Sequence, residues 1–192
     1  AAPPQNPQQR EQLQAFNRLK ELAQRQQDVN ERLKELQAAL SAAKTAAERE
    51  ELRQQLKRLQ EEQQQMLADV DELRQRMERP ENQSQMAEAR QQLDQTRGEV
   101  QRTSEAMERG EVSQALSSGT RAQRDLQQMR DDFRKKNSSQ FAEDMRELRR
   151  QARELAQRQE DIGEKLDALT EATQRKTLTD SDERKGLASQ LD

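Results

Sequence analysis

Glu61-Glu62 and Asp131-Asp132 have the most direct claim on chemistry in this chain, because adjacent carboxylates are the groups that hold divalent cations. Both pairs are interleaved with Arg and read as solvated surface charge. Carboxylate metal sites in four-helix proteins also draw on Glu-x-x-His pairs, and the chain has no His. Without His or Cys, Ser-His and Cys-His triads, His-based acid–base pairs and thiolate metal sites are excluded. The five Gly are isolated, at helix ends or within apolar seams, so no phosphate-cradling loop is present. The residues therefore offer no catalytic, cofactor-binding or metal site, and we expect a protein that is not an enzyme.

Basic residues are the next candidates. Residues 121 to 153 hold ten Lys or Arg against six acids, a local excess of four in a chain whose net charge is −3. Arg134-Lys135-Lys136 and Arg149-Arg150 could meet phosphates. Yet the chain has no Trp or Tyr on which bases would stack, and its cations alternate with acids. A solvated helix face is the better reading, with an electrostatic nucleic-acid-binding module as the alternative. Membrane-surface binding is disfavoured because the apolar stripes are narrow and lack interfacial aromatics. No stretch approaches a membrane-spanning length of apolar residues. Asn82-Gln-Ser84 and Asn137-Ser-Ser139 match a glycosylation pattern but fit equally as turns and caps, which we prefer.

The elements that carry these residues follow from composition and period. Ala, Glu, Leu, Lys and Arg supply 101 of 192 residues, the share that with a regular apolar period marks long helices and coiled coils. Another 32 are Gln, also a good helix former. Nine Gly and Pro together are too few for the turns of a β-rich fold. With 30% hydrophobic residues, many of them Ala, the chain can fill narrow seams between helices and no thick core. The expected fold is all-α, about five helices in long hairpins and coiled coil, with no sheet. Opening on Ala rather than Met, the chain reads as a processed protein or an excised fragment.

Residues 1–8, with three of the four Pro, read as a flexible lead-in. A first hairpin is expected over residues 9–79. Its leading helix carries Leu19, Leu22, Gln26, Val29, Leu33, Leu36 and Leu40 at alternating steps of three and four, the a/d heptad pattern. The next carries Leu52, Leu56, Leu59, Gln63, Met66, Val70, Leu73 and Met77. The two stripes are out of phase, and Thr45-Ala-Ala-Glu48 between them is a capping box, which places a tight turn near residues 41–46. One long helix bent at the phase break is the rival. Pro80 ends this hairpin.

A second hairpin is expected over residues 83–136, turning at Gly110 as the residue after a helix C-cap. Its d positions are small: Ala89, Thr96 and Thr103, then Ala115 and Ala122, with Gly119 at a. We read them as a close approach between its two helices. A fifth helix over 137–175 carries Phe141, Met145, Leu148, Ala152, Leu155, Gln159, Ile162, Leu166, Leu169 and Thr173 at heptad spacing, and 176–192 reads as a polar tail.

Two stretches of this pattern are nearly the same. ELAQRQQDVNERLKEL at 21–36 and ELAQRQEDIGEKLDAL at 154–169 agree at ten of sixteen positions. Leu22, Gln26, Val29, Leu33 and Leu36 align with Leu155, Gln159, Ile162, Leu166 and Leu169 in one heptad phase. We read this as a duplicated packing surface. The seam Gln in each repeat either sets register and partner choice, as buried polar a residues do, or is a tolerated, half-exposed residue near a bundle edge. Ser104–Leu116, continuing to Arg121–Leu126, resembles a helix–Gly–acid–helix hairpin of large bacterial membrane-anchored envelope proteins of unknown function. The LAQRQ stretches at 22–26 and 155–159 are similar to repeats in their Gln-, Arg- and Glu-rich helical regions. The resemblance implies an extracytoplasmic coiled-coil region without catalytic residues. The function expected is structural: a scaffold meeting protein partners, or itself, through helix seams, with no cofactor and with nucleic acid disfavoured.

Overall fold

The computed structural model of the chain describes residues 7–191, apart from the side chains at positions 139, 140, 144 and 188–191. Five helices follow in order: α1 (Pro7–Ala42), α2 (Ala46–Glu78), α3 (Gln83–Glu108), α4 (Val112–Lys136) and α5 (Ser138–Leu191). No strand occurs among the described residues. The chain divides into two compact units, one up to Phe141 and the other from Ala142 onward.

Local chemistry sets the helix ends. Pro7 and Gln8, expected in the lead-in, instead open α1, because Pro fits the first helical turn, where its missing N–H needs no partner. The remainder of that lead-in, residues 1–6, lies outside the described residues. Thr45 is extended (φ −112°, ψ 154°) and its hydroxyl accepts from the Glu48 N–H at 3.1 Å. The Glu48 carboxylate reaches back to the Lys44 N–H at 2.9 Å, so two free donors at the start of α2 are satisfied together. The chain therefore forms the hairpin and not the single bent helix. Arg79, pushed out of helical geometry by Pro80, stops α2 at ψ 142°. At the end of α3, Gly110 adopts φ 75°. Its N–H bonds the Met107 carbonyl at 3.0 Å and the Glu111 N–H bonds the Ala106 carbonyl at 2.8 Å, which is the Schellman closure.

In the first unit, α1 packs against α2 and α4, and α3 against α2 and α4, closing a ring of four helices joined by short turns. The apolar stripes meet inside it: Leu19, Leu22, Leu33, Met66, Val70, Met77, Leu93, Val100 and Leu126 are all essentially inaccessible. One end is closed by three rings. Phe141 lies 5.3 Å from Phe16 and 6.2 Å from Phe133, centroid to centroid, so the start of α5 belongs to this core. Ion pairs run across the outer grooves, Arg25–Asp69 between α1 and α2 and Arg97–Asp71 between α3 and α2. Such partly exposed pairs contribute a few tenths of a kcal/mol each and act mainly on register.

The second unit is helical as far as Leu191. The segment expected as a polar tail continues α5. Residues 176–185 contain neither Gly nor Pro, and the Thr177 and Thr179 hydroxyls bond carbonyls four residues back, leaving the helical ladder intact.

Candidate interaction surface

The two repeats make a natural experiment, since the same seam occurs in two settings. In α1 the first repeat is buried: Leu22, Gln26, Val29, Leu33 and Leu36 are all 5% exposed or less. Its polar member is fully paired. Gln26 and Gln63 exchange amide hydrogen bonds across the α1–α2 seam, Gln26 Nε2 to Gln63 Oε1 at 3.2 Å and Gln63 Nε2 to Gln26 Oε1 at 2.8 Å. Gln26 also donates to Asn30 Oδ1 at 3.0 Å, and Gln63 to the Val100 carbonyl at 3.3 Å. Asn30 in turn donates to the Gly119 carbonyl at 2.9 Å and to Gln123 Oε1 at 2.8 Å. One polar layer thus joins all four helices at a single level of the bundle. A buried amide without such partners costs about 1–3 kcal/mol, so the layer penalises any slipped packing.

Gly119 is explained by this layer. A Cβ there would collide with Asn30 Oδ1 and lie 3.2 Å from Asn30 Cγ and 3.3 Å from Gln26 Nε2. The close approach expected within the second hairpin is, at Gly119, an approach to α1. Asn30 and Gln123 were not among the seam residues read from the sequence, whereas Gly119 was, as a contact within the second hairpin. The signal was present in part: Asn30 stands one turn after Gln26, where a polar residue reaches the same layer.

In α5 the second repeat is uncovered. Leu155, Ile162, Leu166 and Leu169 are 57, 56, 58 and 64% exposed, Leu148 two turns before them is 55% exposed, and Gln159 is exposed among them. The residues corresponding to buried core in α1 therefore form a continuous apolar stripe facing solvent. Single exposed Leu residues are ordinary, whereas an aligned row of five is the kind of patch that marks an interaction site.

Charge and polarity elsewhere are locally balanced. Arg121 pairs with Glu99 at 3.2 Å, Arg130 with Asp131 at 3.0 Å and Arg150 with Glu147 at 2.6 Å, so cations of the 121–153 stretch sit among acids. The Arg150 contact holds the Glu147 carboxyl below its usual value and raises the Arg150 guanidinium. The bond to Asp71 likewise raises Arg97. Asp125 moves the other way, its carboxyl raised by burial and by Glu99 against a smaller opposing pull from Arg121. Asn82 is buried, its amide donating to the Arg76 carbonyl at 2.8 Å to close the α2–α3 turn. Among the described residues, no three His, Cys, Asp or Glu side chains are grouped to hold a metal ion, and no helix is long and apolar enough to cross a membrane.

Fold and surface together define an all-α helical bundle followed by a helical segment with an uncovered apolar face. Comparison with protein-family models, curated proteins and solved structures finds no match for this chain.

Proposed function

We propose that the chain is a non-enzymatic structural module that joins proteins by helix–helix packing, with the second repeat on α5 as its joining surface. The observation that carries this reading is the contrast between the repeats. One seam is sealed inside the bundle, and a ten-in-sixteen identical seam stands open. An apolar stripe with heptad spacing is stabilised by burial against another helix, at about 25 cal/mol per Å² of apolar area removed from water. On this reading the bundle is a stable platform and α5 a scaffold helix whose partner completes a coiled coil. The likeness of residues 104–126 and of both LAQRQ stretches to envelope-protein helical regions supplies the setting, a bacterial cell envelope.

The test is site-specific photo-crosslinking in the native cell. A photoreactive side chain at Ile162, on the seam, is expected to give discrete protein adducts, while one at Glu164, on the opposite face, gives none. Equal labelling from both positions, or none from either, would overturn the association reading.

A further inference from the structure

We propose that the face covering the α5 seam is the α5 seam of a second copy of this chain, the two helices parallel and in register, with Gln159 against the partner's Gln159. The inference rests on the association reading above and names the occupant of that surface.

The first argument is the polar residue. The bundle shows what this seam requires at the Gln level: Gln26 is satisfied by an amide from the facing helix, with reciprocal bonds at 3.2 and 2.8 Å. In α1 a second partner comes from Asn30, one turn on; at the matching position α5 has Gly163, which has no side chain to offer. Gln159 therefore depends more heavily on the opposing helix. A purely aliphatic partner would bury its amide unpaired. A second α5 in register brings an identical amide to the same level, and a shift by one heptad sets Gln159 against Ala152 or Leu166 instead. A polar a-position residue is the device that fixes register in paired helices.

The second argument is charge. With Ala152, Gln159 and Leu166 at a, the flanking g positions are Gln151, Arg158 and Lys165, and the e positions are Ala156, Gly163 and Thr170. Antiparallel pairing sets g against g and so brings Arg158 beside Lys165 or a second Arg158, cation on cation. Parallel pairing sets g against e, where Arg158 and Lys165 face Gly163 and Thr170, both neutral and small, and the one charged e residue, Arg149, lies beyond them beside Leu148. Flanking charge decides orientation in such pairs.

The third argument is area. Met145 to Thr173 spans about 43 Å at 1.5 Å per residue, and covering about a third of a helix some 11 Å across buries roughly 500 Å² per chain. The pair then buries about 1,000 Å², the level a specific interface must reach. Self-pairing through this stripe is thus sufficient for a reversible dimer, one whose population depends on concentration.

The experiment uses the full chain. Light scattering during gel filtration, from micromolar to millimolar loading, is expected to show the mass rise from 22.4 kDa towards twice that value. The double variant Leu155→Lys/Ile162→Lys is expected to remain a monomer with an unchanged bundle melting temperature. The native chain has no Cys, so single thiols report orientation. In a parallel pair Leu148→Cys forms a disulfide dimer with itself, as does Leu169→Cys. In an antiparallel pair only a mixture of the two crosslinks, because position 148 then faces residues about 20 positions away. Monomer at every concentration, or crosslinking only in the mixture, would overturn this proposal. A monomer that still gives Ile162-specific adducts in the cell would leave the association reading standing with a different partner. A monomer without adducts would remove both.

Discussion

Gly119→Ala and Gly98→Ala are the same chemical change in the middle of two neighbouring helices, and they are expected to act in opposite directions. Each gains about 1 kcal/mol in helix propensity, because Gly loses more backbone freedom on folding than Ala does. At Gly98 a Cβ meets nothing within 4 Å, so that gain stands alone and the bundle is stabilised by about 0.5–1 kcal/mol. At Gly119 the added methyl displaces the Asn30 side chain, which donates to the Gly119 carbonyl and to Gln123 and accepts from Gln26. Losing two of these three bonds at about 1 kcal/mol each, and stranding a buried amide at about 1–3 kcal/mol, outweighs the propensity gain. The net is a loss of about 2–4 kcal/mol, or roughly 8–16 °C in Tm at about 4 °C per kcal/mol for a domain of this size. Circular dichroism at the helical minimum, followed through thermal and urea unfolding, measures both variants against the parent chain. A Gly119→Ala protein as stable as the parent would refute the claim that Asn30 is held rigidly. A further substitution, Asn30→Ala in the Gly119→Ala background, should then recover little, since the layer would already be loose.

Two further outcomes follow from the same structure. Leu33→Ala and Leu166→Ala alter equivalent positions of the two repeats: the first should cost about 2–5 kcal/mol of bundle stability, and the second should leave bundle unfolding within about 0.5 kcal/mol of the parent. Equal losses would mean that the second repeat is covered within the monomer. Asp125→Asn should stabilise the chain at neutral pH by no more than about 0.5 kcal/mol, because the folded state disfavours the ionised carboxyl. That carboxyl is raised on folding, so its penalty is present above the folded pKa and absent below the ordinary carboxylate value of 3.8. The Tm difference between Asp125→Asn and parent should therefore close on acidification into that range, and a difference independent of pH would assign the effect to packing.

The turns were legible in the sequence because each is written in residues that only one geometry suits. Thr45 with Glu48 is a capping box, Pro80 forbids helix at Arg79, and Gly110 occupies a positive φ. The length of α5 was less legible, because a polar segment without Gly or Pro has no signal that separates a solvated helix from a tail. The fates of the two repeats were not legible at all. Heptad spacing records that a face is apolar, and it holds no statement about which surface covers it. Leu22 and Leu155 have the same neighbours in sequence and opposite exposures. Asn30 was missed, and Gly119 was assigned to the wrong neighbouring helix, for a related reason: their partnership joins residues 89 positions apart, and heptad spacing does not record which helix a small residue faces.

The Phe cluster makes the chain its own optical probe. With no Trp or Tyr, near-ultraviolet dichroism can come only from Phe16, Phe133 and Phe141, and these three meet in one cluster. That band reports a single event, the gathering of the start of α1, the end of α4 and the start of α5 around one another. The peptide band at shorter wavelength reports every helix at once. A state in which the peptide band persists while the Phe band is lost would be a chain whose helices remain wound with this end of the bundle open, recognisable without attaching any label.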